Sequence, residues 1–495
     1  MGETGDHETR GDVISILVID VGTSSVRASI VGSAGEVGHE YARPTLPSTP
    51  SAGFVEFDAA AMAEAALDVA RQSLTAGGPV DAVGITNQRA STVVWDRATG
   101  EPVGPSIGWQ DLRTVGACLM LQGQGIRVPP SASATKVAYL LDSYDYGRTR
   151  DLMFGTIDTW IGWKLNGGTA HVTDSTNALV TGLVTTDGAQ WDPAVLEALR
   201  IPPGMLPHMI DSSCAPGEAG LASALPGAPP ITGIAGDQQA SMVGQGCTRP
   251  GLAKATFGTG GMLDVCLGPR PSFPVRGKGG CFPIAAWRRH GRIVWGVEAV
   301  TLSAGTAVEW LRDDLGVIPS AAASEEVARQ CADSGGVYFV PALLGLGTPA
   351  WDFGARGTLI GLTRGSGRAE VVRAVLEGVA HRGADMLEAA ETDAGRSITS
   401  LRVDGGMSAN SVFVQSLANA CGRPVEVSPV LEATTLGAAY LAGMAIGLWA
   451  DEEEVAAAWK PRVVVEPTAR LDRDRWREAV TRARAWIPEL SMLDF

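Results

Sequence analysis

The sequence predicts an α/β protein that contains two related domains. Short apolar runs rich in β-branched residues alternate with amphipathic helical patterns along the 495 residues, which is typical of layered α/β structure. A predicted β-hairpin occurs twice, with its turn of small polar residues at 20–25 and again at 257–262. We therefore predict two similar domains, 13–250 and 251–495, which follow a disordered tail at 1–12.

The first half begins with a predicted hairpin. VISILVID and VRASIVGS are β-branched runs, and the small residues of GTSS join them. A helix is predicted over AAAMAEAALDVARQSL, because its apolar residues recur every three or four positions. The next strand, VDAVGIT, leads into the polar run NQRAST at 87–92, in which only Ala90 carries an apolar side chain.

The second half begins in the same way, with strand, Gly/Thr turn and strand in LAKATFGTGGMLDVCLG. AEVVRAVLEGVAHRGADMLEAAE predicts a long amphipathic helix that ends near Gly395. SLRVDGGMSANSVFVQSLANACG predicts a strand ending at Asp404, a Gly-Gly turn and a helix closed by Gly422. The run 433–450 is long enough to span a membrane, but its many Gly, Ala and Thr residues favour a tightly packed buried helix.

Composition excludes several classes of function. The formal charge of −15 argues against nucleic acid as a partner, because binding phosphates requires a basic surface. The seven cysteines are scattered without a CxxC pair, which favours a reduced, cytoplasmic chain. The polar start, MGETGDHETRGD, lacks the apolar core of a signal peptide. We therefore expect neither a nucleic-acid nor a membrane partner.

Several turns are suited to binding phosphate, although the Rossmann fingerprint and the Walker A loop are absent. The turns in DVGTSS and FGTGG can aim backbone N–H and hydroxyl groups at phosphate oxygens. Asp20, at a strand end, could hold a hydrated Mg²⁺. The Gly405–Gly406 turn would let a purine approach the backbone, although it could also be a simple strand–helix connection.

The run GIAGDQQASMVGQG supplies a candidate catalytic base. Asp237 follows an apolar strand and opens an apparent helix, where aspartate often serves only as a cap. Capping alone does not explain the two glutamines that follow. A carboxylate near a phosphate site could also accept a proton from a hydroxyl nucleophile.

Nine motifs in order resemble the FGGY carbohydrate kinases, and within that family they are most similar to the glycerol kinases, over about residues 13–487. The motifs are DVGTSSVRASI, GITNQRASTVVWDRATGEP, FGTIDTWIGWKL, HVTDSTNA, GIAGDQQAS, FGTGG, PALLGLGTPAWDFGARGTLIGLTRG, LRVDGGMSAN and TTLGAAYLAG. The resemblance implies two actin/hexokinase-like (ribonuclease H-like) ATPase domains around a central cleft. ATP and Mg²⁺ would lie in the cleft, and a sugar or polyol at its floor.

The resemblance also implies roles for particular residues. Asp237 would be the general base, and Asp20 would hold Mg²⁺ through water. The substrate would contact Arg89, Ala90, Trp109, Ser131, Asp237, Gln238 and Met262. The nucleotide would contact Thr23, Ser24, Arg27, Thr259, Gly305, Gly406 and Asn410.

Three positions depart from the glycerol kinase pattern. Ala90 stands where those enzymes have Glu in NQRET, Ser131 where they have Tyr in DPYFSGTK, and Met262 where they have Phe after YGTGC. Since the family residues contact glycerol, we expect Ala90 to widen the substrate pocket, although glycerol could still bind with water filling the space. The arginine-containing loop that binds fructose bisphosphate in bacterial glycerol kinases is replaced by ALPGAPP, which puts that regulation in doubt.

The sequence therefore predicts an ATP-dependent kinase that phosphorylates a terminal hydroxyl of a small polyol or ketose. Glycerol, a four- or five-carbon polyol and a ketopentose all stay open as substrates. The alternative is a catalytically inactive actin-fold protein that senses sugars or regulates another protein. The family resemblance further implies a homodimer or homotetramer.

Overall fold

A computed structural model describes residues 14–430 and 433–494, and the tail predicted at 1–12 lies outside them. The strands are β1 Ser15–Val21, β2 Ser25–Gly32, β3 Val37–Pro44, β4 Glu56–Phe57, β5 Ala82–Asn87, β6 Val93–Asp96, β7 Ser106–Ile107, β8 Leu152–Gly155, β9 Val172–Asp174, β10 His208–Ile210, β11 Ile231–Gly236, β12 Ala253–Phe257, β13 Gly261–Gly268, β14 Phe282–Arg289, β15 Arg292–Thr301, β16 Tyr338–Val340, β17 Thr358–Ile360, β18 Leu401–Asp404, β19 Val425–Val427 and β20 Val463–Val465. The α-helices are α1 Ala59–Gly77, α2 Val115–Gly123, α3 Ala134–Tyr144, α4 Ile157–Leu165, α5 Ser175–Leu179, α6 Pro193–Leu199, α7 Asp237–Gly244, α8 Gly305–Glu309, α9 Ala323–Ala328, α10 Arg368–Ala394, α11 Ser411–Cys421, α12 Ala433–Ala445, α13 Glu452–Ala458, α14 Arg473–Ala483 and α15 Pro488–Ser491.

Two main sheets share one topology. The first has the order β3-β2-β1-β5-β11, with β1, β2 and β3 antiparallel and β1, β5 and β11 parallel. The second contains the equivalent order β15-β13-β12-β18-β19 and adds β14 and β20 at its edges. Both hairpins predicted from the sequence are present, as β1–β2 and β12–β13. The prediction of two domains of one α/β fold is confirmed.

Each sheet has its own hydrophobic core. Ile16 to Val21 of β1 are buried, as a central strand covered on both faces requires. The predicted amphipathic helices are α1 in the first half and α10 in the second, and the buried residues of each pack on their own sheet. Helix α10 ends at Gly395, whose φ of 63° is the left-handed conformation of a helix C-terminus.

Helices α7 and α12 lie between the two sheets and cross at very short distance. A Cβ on Gly437 would lie 1.7 Å from the Ala240 carbonyl oxygen, and one on Gly244 would lie 2.0 Å from the Ala433 oxygen, so only glycine fits at either position. The buried helix predicted within 433–450 is therefore confirmed, with 433–445 helical. Within 14–430 and 433–494, no helix is long and apolar enough to cross a membrane.

The sheet topology positions the site. Strands β1, β5 and β11 run parallel, and Asn87 lies in register with Val21 on one side and Gly236 on the other. The turn after β1, the polar run after β5 and Asp237 after β11 therefore leave the sheet at the same edge.

Candidate active site

The turn after β1 accepts side-chain hydrogen bonds from the polar run 87–92 and from Trp109. Gln88 Nε2 donates to the Gly22 carbonyl oxygen at 3.1 Å, and Trp109 Nε1 donates to Thr23 Oγ1 at 3.3 Å. Asp20, at 5% exposure, forms an ion pair with Arg27 at 3.4 Å. The structure thus brings together residues predicted for phosphate, metal and substrate. Ser24, in the same turn, is exposed.

Ala90 and Ser131 lie in segments that join around Trp109. The Ala90 carbonyl oxygen accepts from Ser133 Oγ at 2.9 Å, and Lys136 Nζ donates to the carbonyl oxygens of both Trp109 and Ser131 at 3.0 Å. Ala90 is buried and adopts a φ of 62°, which is uncommon outside glycine and recurs at functional sites. Lys136 is fully buried, and this burial lowers its pKa to about 7.

Asp237 is the first residue of α7 and lies beside a buried guanidinium. Arg89 Nη2 donates to Glu298 Oε2 at 2.7 Å, and Arg89 Nε lies 3.4 Å from Asp237 Oδ1. The Asp237 carboxylate accepts the adjacent Gln238 backbone N–H at 2.7 Å, and Gly236 rather than Asp237 is the N-cap of α7, so the carboxylate does not act as a conventional helix cap. Burial raises the pKa of Asp237, although Arg89 and the Gln238 N–H oppose this effect. A raised pKa suits a carboxylate that must accept a proton.

Charged residues of the second sheet lie directly against α7. Lys254 of β12 is fully buried, and its Nζ donates to Gln238 Oε1 at 2.5 Å and lies 2.7 Å from Asp264 Oδ2. The Arg89–Glu298 ion pair also joins the two sheets, because Glu298 belongs to β15. Two of the predicted substrate-binding residues, Arg89 and Gln238, are therefore held by the opposite domain.

Two of the residues predicted for the nucleotide, Thr259 and Gly305, lie at the second hairpin, and Met262, predicted for the substrate, lies in its second strand. The Thr259 carbonyl oxygen accepts the Ala304 N–H at 3.0 Å, and the Gly305 N–H donates to the Gly258 oxygen at 2.8 Å. A Cβ on Gly305 would lie 2.6 Å from that same oxygen, so the close approach requires glycine. Met262 follows in β13, where it pairs with Val300.

Packing inside the protein already explains why one residue of the Gly405–Gly406 turn is glycine, without any ligand. A Cβ on Gly405 would lie 2.7 Å from the Phe257 oxygen, whereas one on Gly406 would meet no atom within 4 Å. Asn410 caps α11, with Oδ1 accepting from Phe413 N–H and Nδ2 donating to Ser324 Oγ, both at 3.0 Å. Contact between adenosine and Asn410 stays a prediction, and in this structure both polar atoms of the side chain are hydrogen-bonded within the protein.

Comparison with known families decides what this site belongs to. Two family models match the chain. The N-terminal domain of the FGGY family of carbohydrate kinases matches residues 15–244, and the C-terminal domain of the same family matches residues 253–446. The chain belongs to the FGGY family of carbohydrate kinases. It is therefore a carbohydrate or polyol kinase, and the alternative of an inactive regulatory protein is not favoured.

Individual FGGY kinases are similar to this one over almost its whole length. A glycerol kinase of Dechloromonas aromatica is 42% identical, covering 95% of this chain and 98% of the relative. Glycerol kinase 2 of Thermotoga maritima is 40% identical, covering 95% and 99%. The crystal structure of Plasmodium falciparum glycerol kinase with ADP is 26% identical, with a TM-score of 0.85 and coverage of 98% and 99%. A ligand-bound xylulose kinase from Lactobacillus acidophilus, 20% identical with a TM-score of 0.80 and coverage of 94% and 96%, shares the fold.

Sequence reasoning missed the charged residues that lie behind the predicted site of this FGGY kinase. Lys254, Asp264 and Glu298 each interrupt an otherwise apolar strand, in LAKATF, MLDVCL and WGVEAV. Charges inside apolar runs are rarely buried without a partner, and this signal could have marked them. Their common location could not be read from the sequence, because it depends on how three strands pair.

Proposed function

We propose that the protein transfers the γ-phosphoryl group of ATP to a terminal hydroxyl of glycerol or of a four- or five-carbon polyol or ketose. The observation that carries this proposal is the position of Asp237, between Arg89 and Gln238 at the sheet edge that also bears the 22–24 turn. A base, hydroxyl-binding groups and a turn suited to phosphate are the parts that a polyol kinase needs.

Asp237 would accept the proton of the substrate hydroxyl as the hydroxyl oxygen attacks the γ-phosphorus, and the bond from that phosphorus to the β–γ bridging oxygen would break to release ADP. Arg89 and Trp109 would orient the polyol, and Gln238 would contact one of its hydroxyls. The N–H groups and hydroxyls of the 22–24 and 258–260 turns would bind phosphate oxygens from the two sides of the cleft. Alignment and charge stabilisation of this kind account for most of the catalysis of phosphoryl transfer.

The Asp20 carboxylate is suited to binding a hydrated Mg²⁺. Among the described residues no group of three or more His, Cys, Asp or Glu could hold a metal, so any ion must rely on water and phosphate oxygens as well as protein. Mg²⁺ binds in this way in kinases, through one or two carboxylates. When bound, Mg²⁺ would neutralise charge on the phosphates. Asp20, nearly buried beside the 22–24 turn, presents the carboxylate for this purpose.

A screen for ADP release tests the proposal. The purified protein is mixed with ATP and Mg²⁺ and with about twenty candidates, including glycerol, erythritol, the pentitols, D-xylulose and D-ribulose. Saturable ADP release with at least one candidate is expected. Absence of any substrate-dependent ADP release would reject the proposed function.

We expect the preferred substrate to be larger than glycerol. Ala90 and Ser131 are smaller than the family's Glu and Tyr. A three-carbon substrate would therefore leave part of the pocket unfilled and would form poorer hydrogen bonds with Arg89. Each added hydrogen bond in a dry site contributes about 0.5–1.5 kcal/mol, so kcat/KM for a four- or five-carbon substrate should exceed that for glycerol by roughly tenfold. The paired substitution Ala90→Glu with Ser131→Tyr should return the preference toward glycerol. Steady-state kinetics that favour glycerol over every longer polyol and ketose would refute the wider pocket.

We expect ligands that contact both domains to close the cleft. The turns proposed to bind phosphate belong to different sheets, and a ligand that contacts both favours the closed form. Small-angle scattering should therefore give a smaller radius of gyration with a non-hydrolysable ATP analogue and substrate than without them. Nucleotide alone serves as the control, and an unchanged radius at saturation would count against closure.

The cytoplasmic location stays a prediction from the scattered cysteines, and assembly as a homodimer or homotetramer stays a prediction of the family resemblance. Size-exclusion chromatography with light scattering would measure the assembly directly.

A further inference from the structure

A row of buried charges crosses the second sheet beneath α7. Lys254 of β12 is in register with Asp264 of β13, and Asp264 is in register with Glu298 of β15. All three side chains are on the same face of the sheet, because directly opposed residues of neighbouring strands share a face. Lys254 and Asp264 are fully buried, and Glu298 is 7% exposed.

The first domain contributes a partner to each end of this row. At one end Arg89 Nη2 donates to Glu298 Oε2 at 2.7 Å. At the other end Gln238 Oε1 accepts from Lys254 Nζ at 2.5 Å. The row therefore contacts the two side chains that flank Asp237 in the proposed site, and it does so from the opposite domain.

The chemistry of the ammonium group determines which way the Gln238 amide points. A lysine ammonium has three donors and no acceptor, so the Gln238 atom that contacts it must be the oxygen. Lys254 is itself fixed, since it also donates to Thr256 Oγ1 at 3.1 Å and lies 2.7 Å from Asp264 Oδ2. Thr256 Oγ1 donates in turn to Asp404 Oδ1 at 2.5 Å. The chain of hydrogen bonds has one direction, and rotating the Gln238 amide would place its NH₂ against the ammonium.

The opposite end of that amide is left for a ligand. Gln238 Nε2 has no acceptor among the residues in 14–430 and 433–494. By contrast, Gln238 Oε1 accepts from Lys254 Nζ, and the Gln238 backbone N–H donates to Asp237. Asp237, the neighbouring residue, presents a carboxylate that can only accept. A substrate hydroxyl that donates its proton to Asp237 therefore needs a donor for its oxygen, and the NH₂ of Gln238 is such a donor.

We propose that Lys254 is a positioning residue that fixes the Gln238 amide with its NH₂ toward the substrate, so that Gln238 donates a hydrogen bond to a substrate oxygen. This rests on the proposed function. Because Lys254 belongs to the second domain and Gln238 to the first, recognition of the polyol depends on contact between the domains. Lys254 itself does not touch the substrate.

The test combines substitutions at both residues. Lys254→Met with Asp264→Leu removes both charges of the pair, so that no unpaired buried charge is left. Affinities for glycerol and erythritol are measured by calorimetry, and KM for ATP by steady-state kinetics. We expect Gln238→Ala to weaken polyol binding about three- to tenfold, the value of one hydrogen bond. The Lys254/Asp264 variant should lose nearly as much while KM for ATP stays within about twofold.

The decisive comparison is the variant that carries all three substitutions. If Lys254 acts through Gln238, the triple variant should bind polyol no more weakly than Gln238→Ala alone. A merely structural role would multiply the two losses, and that result would overturn the proposal. Ser241→Ala is the matched control, because it removes another contact between α7 and the second sheet, the 3.0 Å hydrogen bond to Asp404 Oδ2. It should leave polyol affinity within about twofold.

A second substitution keeps the test decisive if the Lys254/Asp264 variant does not fold. Gln238→Glu retains an acceptor for Lys254 but has no NH₂, so we expect a protein with a Tm at or above that of the wild type and weaker polyol binding. Wild-type polyol affinity in Gln238→Glu would overturn the proposal. A wild-type protein that binds and phosphorylates none of the panel would instead reject the proposed function. In that case a fall in the Tm of Gln238→Glu would still refute the contact between Lys254 and Gln238 Oε1.

Discussion

Asp237→Asn should lower kcat by at least about 100-fold, the lower range for loss of a positioned general base. The amide has nearly the same shape and can still contact Arg89 and accept the Gln238 backbone N–H, so the fold and the polyol site should persist. What is lost is the ability to take the hydroxyl proton. KM for ATP should change little, since Asp237 is not among the residues proposed to bind the nucleotide. Steady-state kinetics on a folded variant, checked by circular dichroism, measure both effects.

The pH profile of the wild-type enzyme supplies an independent check on the same residue. A base must be ionised to act, and burial raises the pKa of Asp237 above the ordinary aspartate value. The kcat/KM should therefore fall as the pH drops through that raised pKa, and the acid limb should be missing from Asp237→Asn. A variant that keeps more than half of the wild-type activity would exclude Asp237 as the base.

Asp174→Ala should destabilise the protein by roughly 3–5 kcal/mol, because it removes the acceptor on which several buried donors converge. Asp174 is fully buried and caps α5. Its carboxylate accepts from Ser212 Oγ at 2.6 Å, from the backbone N–H and hydroxyl of Thr176 at 3.0 and 2.8 Å, and from the backbone N–H and side-chain amide of Asn177, both at 3.0 Å. Denaturant titration followed by tryptophan fluorescence would measure the loss.

Asp174→Ala should also disturb the candidate active site, because hydrogen bonds of the Asp174 network reach the ends of β5 and β11. Asn177 exchanges amide hydrogen bonds with Asn87, and Thr176 Oγ1 accepts the Gly236 N–H at 2.8 Å. Ser212→Ala is the matched control, since it removes one donor to Asp174 and the acceptor of the Arg288 N–H but leaves the Asp174 carboxylate in place. It should cost only about 1 kcal/mol. Equal stability losses for the two variants would show that Asp174 does not organise the network.

The sequence predicted most of the fold, because the signals concerned were local. Alternating strand and helix patterns located both hairpins, and Gly395 and Gly422 marked the ends of α10 and α11 as predicted. The helix within 433–450 was correctly separated from a membrane span by its small residues. Each of these features depends on neighbouring residues along the chain, which a sequence displays directly.

The parts of the site that were not predicted depend on contacts between distant segments. Arg89 and Glu298 form an ion pair although 209 residues separate them, and no local pattern links them. Lys136 follows Ser131 within one motif, yet its bond to the Trp109 carbonyl oxygen requires the folded loop. The family resemblance supplied candidate ligand-binding residues, whereas the groups that contact them from the second sheet could be found only once its strand pairing was known.

The packing of α12 has a consequence for synthesis of the chain on the ribosome. A Cβ on Gly84 would lie 2.7 Å from the Ala438 oxygen, and one on Gly233 would lie 2.6 Å from the Ala442 nitrogen, so α12 covers β5 and β11 at close range. The last strand of that first sheet ends at Gly236, but the helix that covers it begins only at Ala433. Domains generally fold as units during synthesis, N-terminal first. Here the face of the first sheet that α12 covers stays uncovered until nearly the whole chain has been translated, and transiently exposed apolar surface of this kind favours aggregation.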